Sequence, residues 1–217
     1  MAQWLDYPHM RLFVGIPLAD AVVGELGALV SRLRTGVSGL RWSAPESWHI
    51  TLQFLGNAAP EKMDCLAARL GEVRSGPIAI EVGKLGCFDR AGVFFAEVAV
   101  SPELAALQQR VVAATGLCGF AAEARPFYPH ITLARKAGTG KSEDRATRGQ
   151  GSKNSPGGTE GLRDLMARAG ASRFSRFTAN EFLLYESHPG AGGSRYEVRK
   201  RVALEKARLQ RQQDFDG

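Results

Sequence analysis

Trp48-His-Ile-Thr-Leu-Gln-Phe-Leu-Gly56 and Pro129-His-Ile-Thr-Leu-Ala-Arg135 carry the same tetrapeptide, His-Ile-Thr-Leu, at 49–52 and 130–133. The chain has four histidines in 217 residues, and two of them head this repeat. Such a coincidence by random draw is on the order of one chain in a million at average residue usage. The composition of the repeat, β-branched and apolar with a period of two, reads as a strand. Side chains on a strand alternate between faces. His49 and Thr51 therefore share one face and Ile50 and Leu52 the other, and His130 and Thr132 oppose Ile131 and Leu133 in the same way. Each copy presents an imidazole beside a hydroxyl and turns an apolar pair toward a core.

Two imidazoles and two hydroxyls around one pocket suit phosphodiester chemistry. A neutral imidazole takes a proton from an attacking water or alcohol, and a protonated one gives a proton to the departing oxygen. Hydroxyls donate to the non-bridging phosphate oxygens, which only accept. This division of labour needs no metal and no other cofactor. A structural duplication would also repeat a tetrapeptide, but it would preserve the apolar positions ahead of the polar ones, and here both are kept.

The rest of the chain supplies two sets of elements around these strands. Arg11–Ile16 reads as a strand ended by Pro17, and a helix capped by Asp20 is expected to about Arg34. Strands are expected at Leu40–Trp42 and His49–Leu55, and a helix from after Pro60 to about Val73. Further strands fall at Ile78–Val82 and Val93–Val100. Pro102 opens a helix to about Thr115, followed by the strand His130–Ala134. A short helix is expected at Leu162–Ala169, and strands at Phe174–Ser187 and Tyr196–Leu204, joined by the Gly-rich turn Pro189–Gly193. The mixed order predicts an α+β fold of two similar lobes, each contributing one copy of the repeat. Residues 137–161 are rich in Gly, Ser, Lys and Arg with few apolar side chains, and read as a flexible basic insert. The polar tail from Glu205 reads as exposed.

The hydrophobic share of 44% and charged share of 23% fit a globular domain, and the length suits one bilobal domain over residues 1–217. No apolar run approaches the ~18 residues of a membrane helix, and no signal peptide is expected. Cys65, Cys87 and Cys118 lack paired spacing and read as reduced, mostly buried thiols of a cytoplasmic protein. The net charge of +6 raises the odds of a polyanionic partner only modestly, since much of it falls in the insert and tail. Gly138-Thr-Gly-Lys-Ser142 imitates the end of a phosphate-binding loop. The full pattern needs glycine at 135, where arginine stands, and no apolar helix follows.

The paired His-x-Thr-x motifs resemble those of the 2H phosphoesterases. Wider blocks resemble the RNA 2′,3′-cyclic phosphodiesterases, or 2′-5′ RNA ligase family: Arg-Leu-Phe-Val-Gly-Ile-Pro (11–17), Leu-Arg-Trp through the first motif (40–56), Arg-Pro-Phe-Tyr-Pro and the second motif (125–135), and Leu-Tyr-Glu-Ser through Gly-Gly-Ser-Arg-Tyr-Glu-Val (184–198). The resemblance spans about residues 10–204. It implies a pseudo-twofold bilobal fold, with two antiparallel-rich sheets facing a central groove and helices outside. It also implies a monomer that opens RNA 2′,3′-cyclic phosphate ends, tRNA-derived ends among them, to 2′-phosphates. Nucleotides are expected in the groove, and reversal of the chemistry gives 2′-5′ ligation without ATP. By the resemblance His130 is the base, His49 the acid, and Thr51 and Thr132 hold the phosphate; near-symmetry also admits the exchanged histidine roles.

Arg135 stands where the family has an arginine, and its guanidinium suits a bidentate grip on phosphate; the other reading is a surface arginine at a strand end. Arg11 and Phe13 share a face near the expected nucleotide, with Phe13 either stacking on a base or filling the core. Trp42 and Tyr128 read as packing residues, and His9 and His188 as ordinary surface histidines. Lys136, Lys141, Arg145, Arg148 and Lys153 could touch RNA from the insert, although a solvated loop serves as well. The alternatives are another 2H reaction, on cyclic nucleotides or ADP-ribose cyclic phosphate, or a non-catalytic RNA- or nucleotide-binding protein on the same scaffold.

Overall fold

A computed structural model describes residues 10–35, 37–137, 165–170, 172–190 and 193–205. His9, nearly all of the basic insert and the tail beyond Glu205 lie outside the described residues. Among the described residues, besides a helical segment at 165–169, ten strands and three α-helices run in the order β1 (Met10–Pro17), α1 (Asp20–Leu33), β2 (Leu40–Trp42), β3 (His49–Ala58), α2 (Lys62–Gly71), β4 (Ile78–Ile80), β5 (Val82–Phe88), β6 (Val93–Val98), α3 (Pro102–Gly116), β7 (His130–Lys136), β8 (Phe177–Ala179), β9 (Glu181–Gly190) and β10 (Gly193–Ala203). A 3-10 turn, Pro45–Ser47, precedes β3.

Two four-stranded antiparallel sheets carry the fold. One has the order β10-β9-β1-β3 and the other β2-β7-β6-β5; β4 and β8 form a small third pair. Each large sheet holds one histidine strand, as the repeat predicts. The lobes are not sequential halves, however. β9 and β10 return from the C-terminal end to sit beside β1, while β2 leaves its neighbour β3 to pair with β7. β2, just before the first histidine strand, and β9 and β10, after the second, therefore build the opposite lobe.

Apolar side chains of β1, β3, β6, β7 and β9 join those of the three helices in one core. Their alternation explains why. Leu12, Val14 and Ile16 leave β1 on one face and Phe13 on the other. Ser101 caps α3, its hydroxyl accepting from the Leu104 N–H at 3.1 Å, with Pro102 in the first turn. At α1 the N-cap is Ala19, and Asp20 is the first helical residue with no capping bond; there the acidic side chain complements only the helix dipole. The stretch expected as one strand at 78–82 breaks into β4 and the start of β5. The glycines of Val82-Gly-Lys-Leu-Gly86 hid β5 from pattern reading.

One polar link crosses the core. The Thr115 hydroxyl, fully buried at the end of α3, donates to Gln53 Oε1 at 2.7 Å. Gln53 Nε2 donates in turn to the Ala121 carbonyl at 3.3 Å. This fastens β3, just past its histidine and threonine, to the segment leaving α3. Nearby, Cys65 and Cys118 are joined in a disulfide with Cα atoms 5.9 Å apart. The expectation of three reduced thiols fails here. α2 packs on α3, which sets residue 65 against the residue just beyond α3, and a separation of 53 residues gives no such pairing signal in sequence. Cys87, half-buried and outside the disulfide, donates its thiol to Asp89 Oδ1 at 3.1 Å.

Removing the Thr115 hydroxyl tests the polar link. Thr115→Val leaves a buried Gln53 oxygen without its donor and is expected to lower unfolding stability by about 1–3 kcal/mol, measured by urea denaturation. Reductant alone should cost about 2–4 kcal/mol, since it frees a long loop in the unfolded chain. An unchanged midpoint in either case would remove the corresponding restraint.

Candidate active site

A regular strand would not place the two histidine motifs as they stand. In β7 the partners of β6 run Phe95 with Thr132 and Phe94 with Ala134, so Leu133 is the extra residue of a β-bulge. Its carbonyl accepts from the Ser43 N–H at 2.8 Å. In β3 the partners of β1 run Gly15 with Thr51 and Val14 with Gln53, so Leu52 is the extra residue. The bulge falls on the same letter of both repeats. Beyond it the alternation is inverted. Gln53 and Ala134 point to the core, and Phe54 and Arg135, each five positions after its histidine, turn to the groove.

The groove face of both strands meets in a cavity of about 220 Å³. His49, Thr51, His130, Thr132 and Arg135 all line it, together with Ser43, Ser47, Phe54, Phe88, Arg125 and Tyr196. The last six carried no independent mark. Phe54 was within reach of inference, being the positional equivalent of Arg135. Tyr196 arrives only because β10 lies in the β1–β3 sheet. A second cavity of about 230 Å³ continues past Thr51 and His130 toward Arg125, Phe127 and Tyr128.

The imidazoles are held alike. His49 Nδ1 lies 2.8 Å from the Ser47 carbonyl, and His130 Nδ1 lies 2.8 Å from the Tyr128 carbonyl. A carbonyl can only accept, so Nδ1 carries the proton in each neutral ring. Nε2 is then the acceptor, and it is the atom left for the groove. Aromatic rings enclose both. The Phe13 ring lies 4.5 Å from His49, with Tyr196 edge-on at 5.2 Å. Phe88 meets His130 edge-on and Phe95 tilts against it, both at 5.2 Å. Close backbone approach makes room for this. A side chain at Gly15 would come within 2.9 Å of the Ile50 carbonyl and 3.4 Å of the His49 ring, and one at Gly86 would strike the Phe95 ring.

Burial among these rings disfavours charge. It lowers His49 to about 4, against the opposing pull of the Ser47 carbonyl, and the fields of His130 and Arg135 push the same way. His130 is lowered as well, by burial first and then by Arg135. Both shifts favour the neutral imidazole in the free protein.

Phe13 sits beneath His49, 3% exposed, its ring also stacked on Tyr185 at 4.8 Å. It supports the imidazole and does not face the cavity. Arg11 is exposed on the same strand face, within electrostatic reach of Tyr196. Trp42 packs edge-on against the core ring of Phe94. Tyr128 is exposed; its hydroxyl donates to Glu97, and that bond raises it to about 12. His188 is not an isolated surface residue: its Nε2 lies 3.3 Å from Glu197 and 3.9 Å from Glu186. These three could together hold a cation, but Arg199 already bridges both carboxylates, and they lie on the sheet face away from Tyr185 and Tyr196.

The model of the 2′-5′ RNA ligase superfamily matches residues 18–150, more than half of the chain. The RNA 2′,3′-cyclic phosphodiesterase of Archaeoglobus fulgidus is 33% identical over 129 residues, 58% of this chain and 72% of that protein. The protein of the same name from Geobacillus stearothermophilus is 32% identical over 129 residues, and the match covers 57% of this chain but 41% of that longer protein. Among solved structures, Escherichia coli LigT complexed with 3′-AMP superposes with a TM-score of 0.69 at 25% identity, covering 91% of this chain and 99% of LigT. The chain belongs to the 2′-5′ RNA ligase superfamily and is an enzyme of the 2H phosphoesterase type.

The enclosed histidine makes stability depend on pH. A group whose folded value is depressed contributes fully above its unfolded value and loses that contribution as pH falls. For His49 the window runs from 6.5 down to about 4, worth at most about 3 kcal/mol. Urea midpoints of the wild type should therefore fall faster across that window than those of His49→Gln. Parallel curves would show that His49 is not held neutral by burial.

Proposed function

We propose that this enzyme hydrolyses RNA 2′,3′-cyclic phosphate ends to 2′-phosphate ends by proton transfer between its two histidines and the substrate. The observation that carries the reading is the matched pair of Nδ1–carbonyl bonds, which leaves two Nε2 atoms for one cavity that also holds two threonines and an arginine. The curated relatives' names point to the same substrate.

His130 Nε2 takes a proton from water, whose oxygen forms a new bond to phosphorus. The P–O3′ bond breaks, and O3′ receives a proton from His49 Nε2, leaving a 2′-phosphate and a 3′-hydroxyl. Thr51 and Thr132 donate to the non-bridging oxygens, and the Arg135 guanidinium faces the charge that grows on them. His49 must be protonated to act as the acid. The bound phosphate supplies the negative charge that favours this, reversing the effect of the His130 and Arg135 fields in the empty groove. A 5′-hydroxyl in place of water forms a 2′-5′ linkage by the same steps. A purely binding role would make no use of two free imidazole acceptors.

The test is turnover in EDTA of a short RNA ending in a 2′,3′-cyclic phosphate, with the product phosphate located. Conversion to a 2′-phosphate is expected, with losses of at least ~10²-fold in His49→Ala and His130→Ala. A bridging 3′-sulfur leaves without protonation. It should therefore restore turnover to His49→Ala and not to His130→Ala; rescue of the other variant would exchange the two roles. Full turnover in both alanine variants on the oxygen substrate would end the two-histidine mechanism.

A further inference from the structure

Arg41 and Arg135 are direct cross-strand partners between β2 and β7. Like charges so placed repel, and among the described residues neither has an acidic partner or a hydrogen bond. The arginines at 69, 125, 176, 199 and 201, by contrast, pair with glutamates. The two guanidiniums open on a pocket of about 170 Å³ that Arg195, Ser43, Ser47 and Tyr196 also line. Ser43, Ser47, Arg135 and Tyr196 are common to this pocket and the histidine cavity, so the two adjoin. Their relation is fixed by backbone: the Ser43 N–H holds the bulged Leu133 carbonyl, and the Ser47 carbonyl holds His49.

The pocket is smaller than the ~300–1,000 Å³ of sites for whole small molecules, and polar residues dominate its walls. A compact anion fits it better than a base does. The Tyr196 phenol at its edge reports the field. Burial raises its pKa, while Arg135, Arg11 and Arg41 act against that rise. Three cations therefore converge on one hydroxyl without a carboxylate among the groups that shift it.

We propose that this pocket is a second phosphate site, which takes the phosphodiester on the 5′ side of the terminal nucleotide while the cyclic phosphate lies between the histidines. The proposal rests on the hydrolase reading for the identity of the first phosphate. It adds that the enzyme measures a substrate by two phosphates, and so favours the end of an RNA chain over a lone nucleoside cyclic phosphate. Arg135, on the shared wall, faces both anions; Arg41 serves the second, its planar fork suited to paired phosphate oxygens.

Calorimetric titration separates this site from catalysis. Adenosine 3′-phosphate, adenosine 3′,5′-bisphosphate and the dinucleotide ApA carrying a 3′-phosphate are compared at one low salt concentration. The second phosphate, as monoester or as internal diester, should tighten binding to the wild type by about tenfold or more. Arg41→Ala should lose most of that gain and Arg41→Lys keep part of it. Arg69→Ala, which removes a remote surface ion pair, should keep it all. Equal binding of all three ligands by the wild type, or a full gain in Arg41→Ala, would overturn the proposal. A gain for the bisphosphate but none for the dinucleotide would also overturn it, because the pocket would then take a terminal phosphate and not a chain. If the gains appear while cyclic RNA ends are not hydrolysed, the second site stands and the hydrolase reading falls.

Discussion

One extra residue, at the same place in both histidine strands, governs the site. Without the bulges at Leu52 and Leu133, alternation would carry Arg135 and Phe54 to the core face and Gln53 and Ala134 to the groove. A guanidinium turned to the apolar core face would be buried without a counter-ion, which is costly. The bulge resolves this by flipping the face after the threonine. It gives each strand a histidine and a threonine on one side of the bulge and a further groove residue beyond it. The bulge also bends the strand, which helps two separate sheets converge on one cavity.

The duplication is faithful at the histidines and broken at the position after the bulge. Both imidazoles bond a carbonyl two residues earlier, and both are walled by aromatic rings. At the position after the bulge, one lobe has Phe54 and the other Arg135. A symmetric acid–base pair cannot tell which side of a phosphate the water should approach. An arginine on one side only can orient the anion, and with it the leaving oxygen. The charge is more lopsided still because Arg41 stands beside Arg135, whereas Phe54 faces the ring of Phe13.

The aromatic walls have a second effect. They strip water from the imidazoles and favour their neutral form in the empty groove, where neither readily carries a proton to give. An anionic substrate corrects this by its own field. On the proposed mechanism, protonation of the acid is thus coupled to occupancy, which suits a site that must distinguish a phosphate from a neutral sugar. Phe13 belongs to this wall; at the sequence level its strand face suggested a base-stacking surface as readily as a core position.

The sequence by itself determined which strands would be paired and which of their residues would share a face. Two copies of His-Ile-Thr-Leu, read with a period of two, named both histidines, both threonines and the need for two lobes. Helix boundaries near Asp20–Leu33 and Pro102–Gly116 followed from apolar periodicity and proline, because those signals are local. The arginine at 135 could be named from the family's pattern, yet its face could not, since a bulge is decided by which partner strand supplies the hydrogen bonds. Only the tertiary structure decided the rest. It brought Tyr196 from the far end of the chain, set Arg41 against Arg135 by sending β2 to the opposite lobe, and joined Cys65 to Cys118 through the packing of α2 on α3. Each of these is a contact between segments distant in sequence, and local pattern carries no information about which distant segment will be the neighbour.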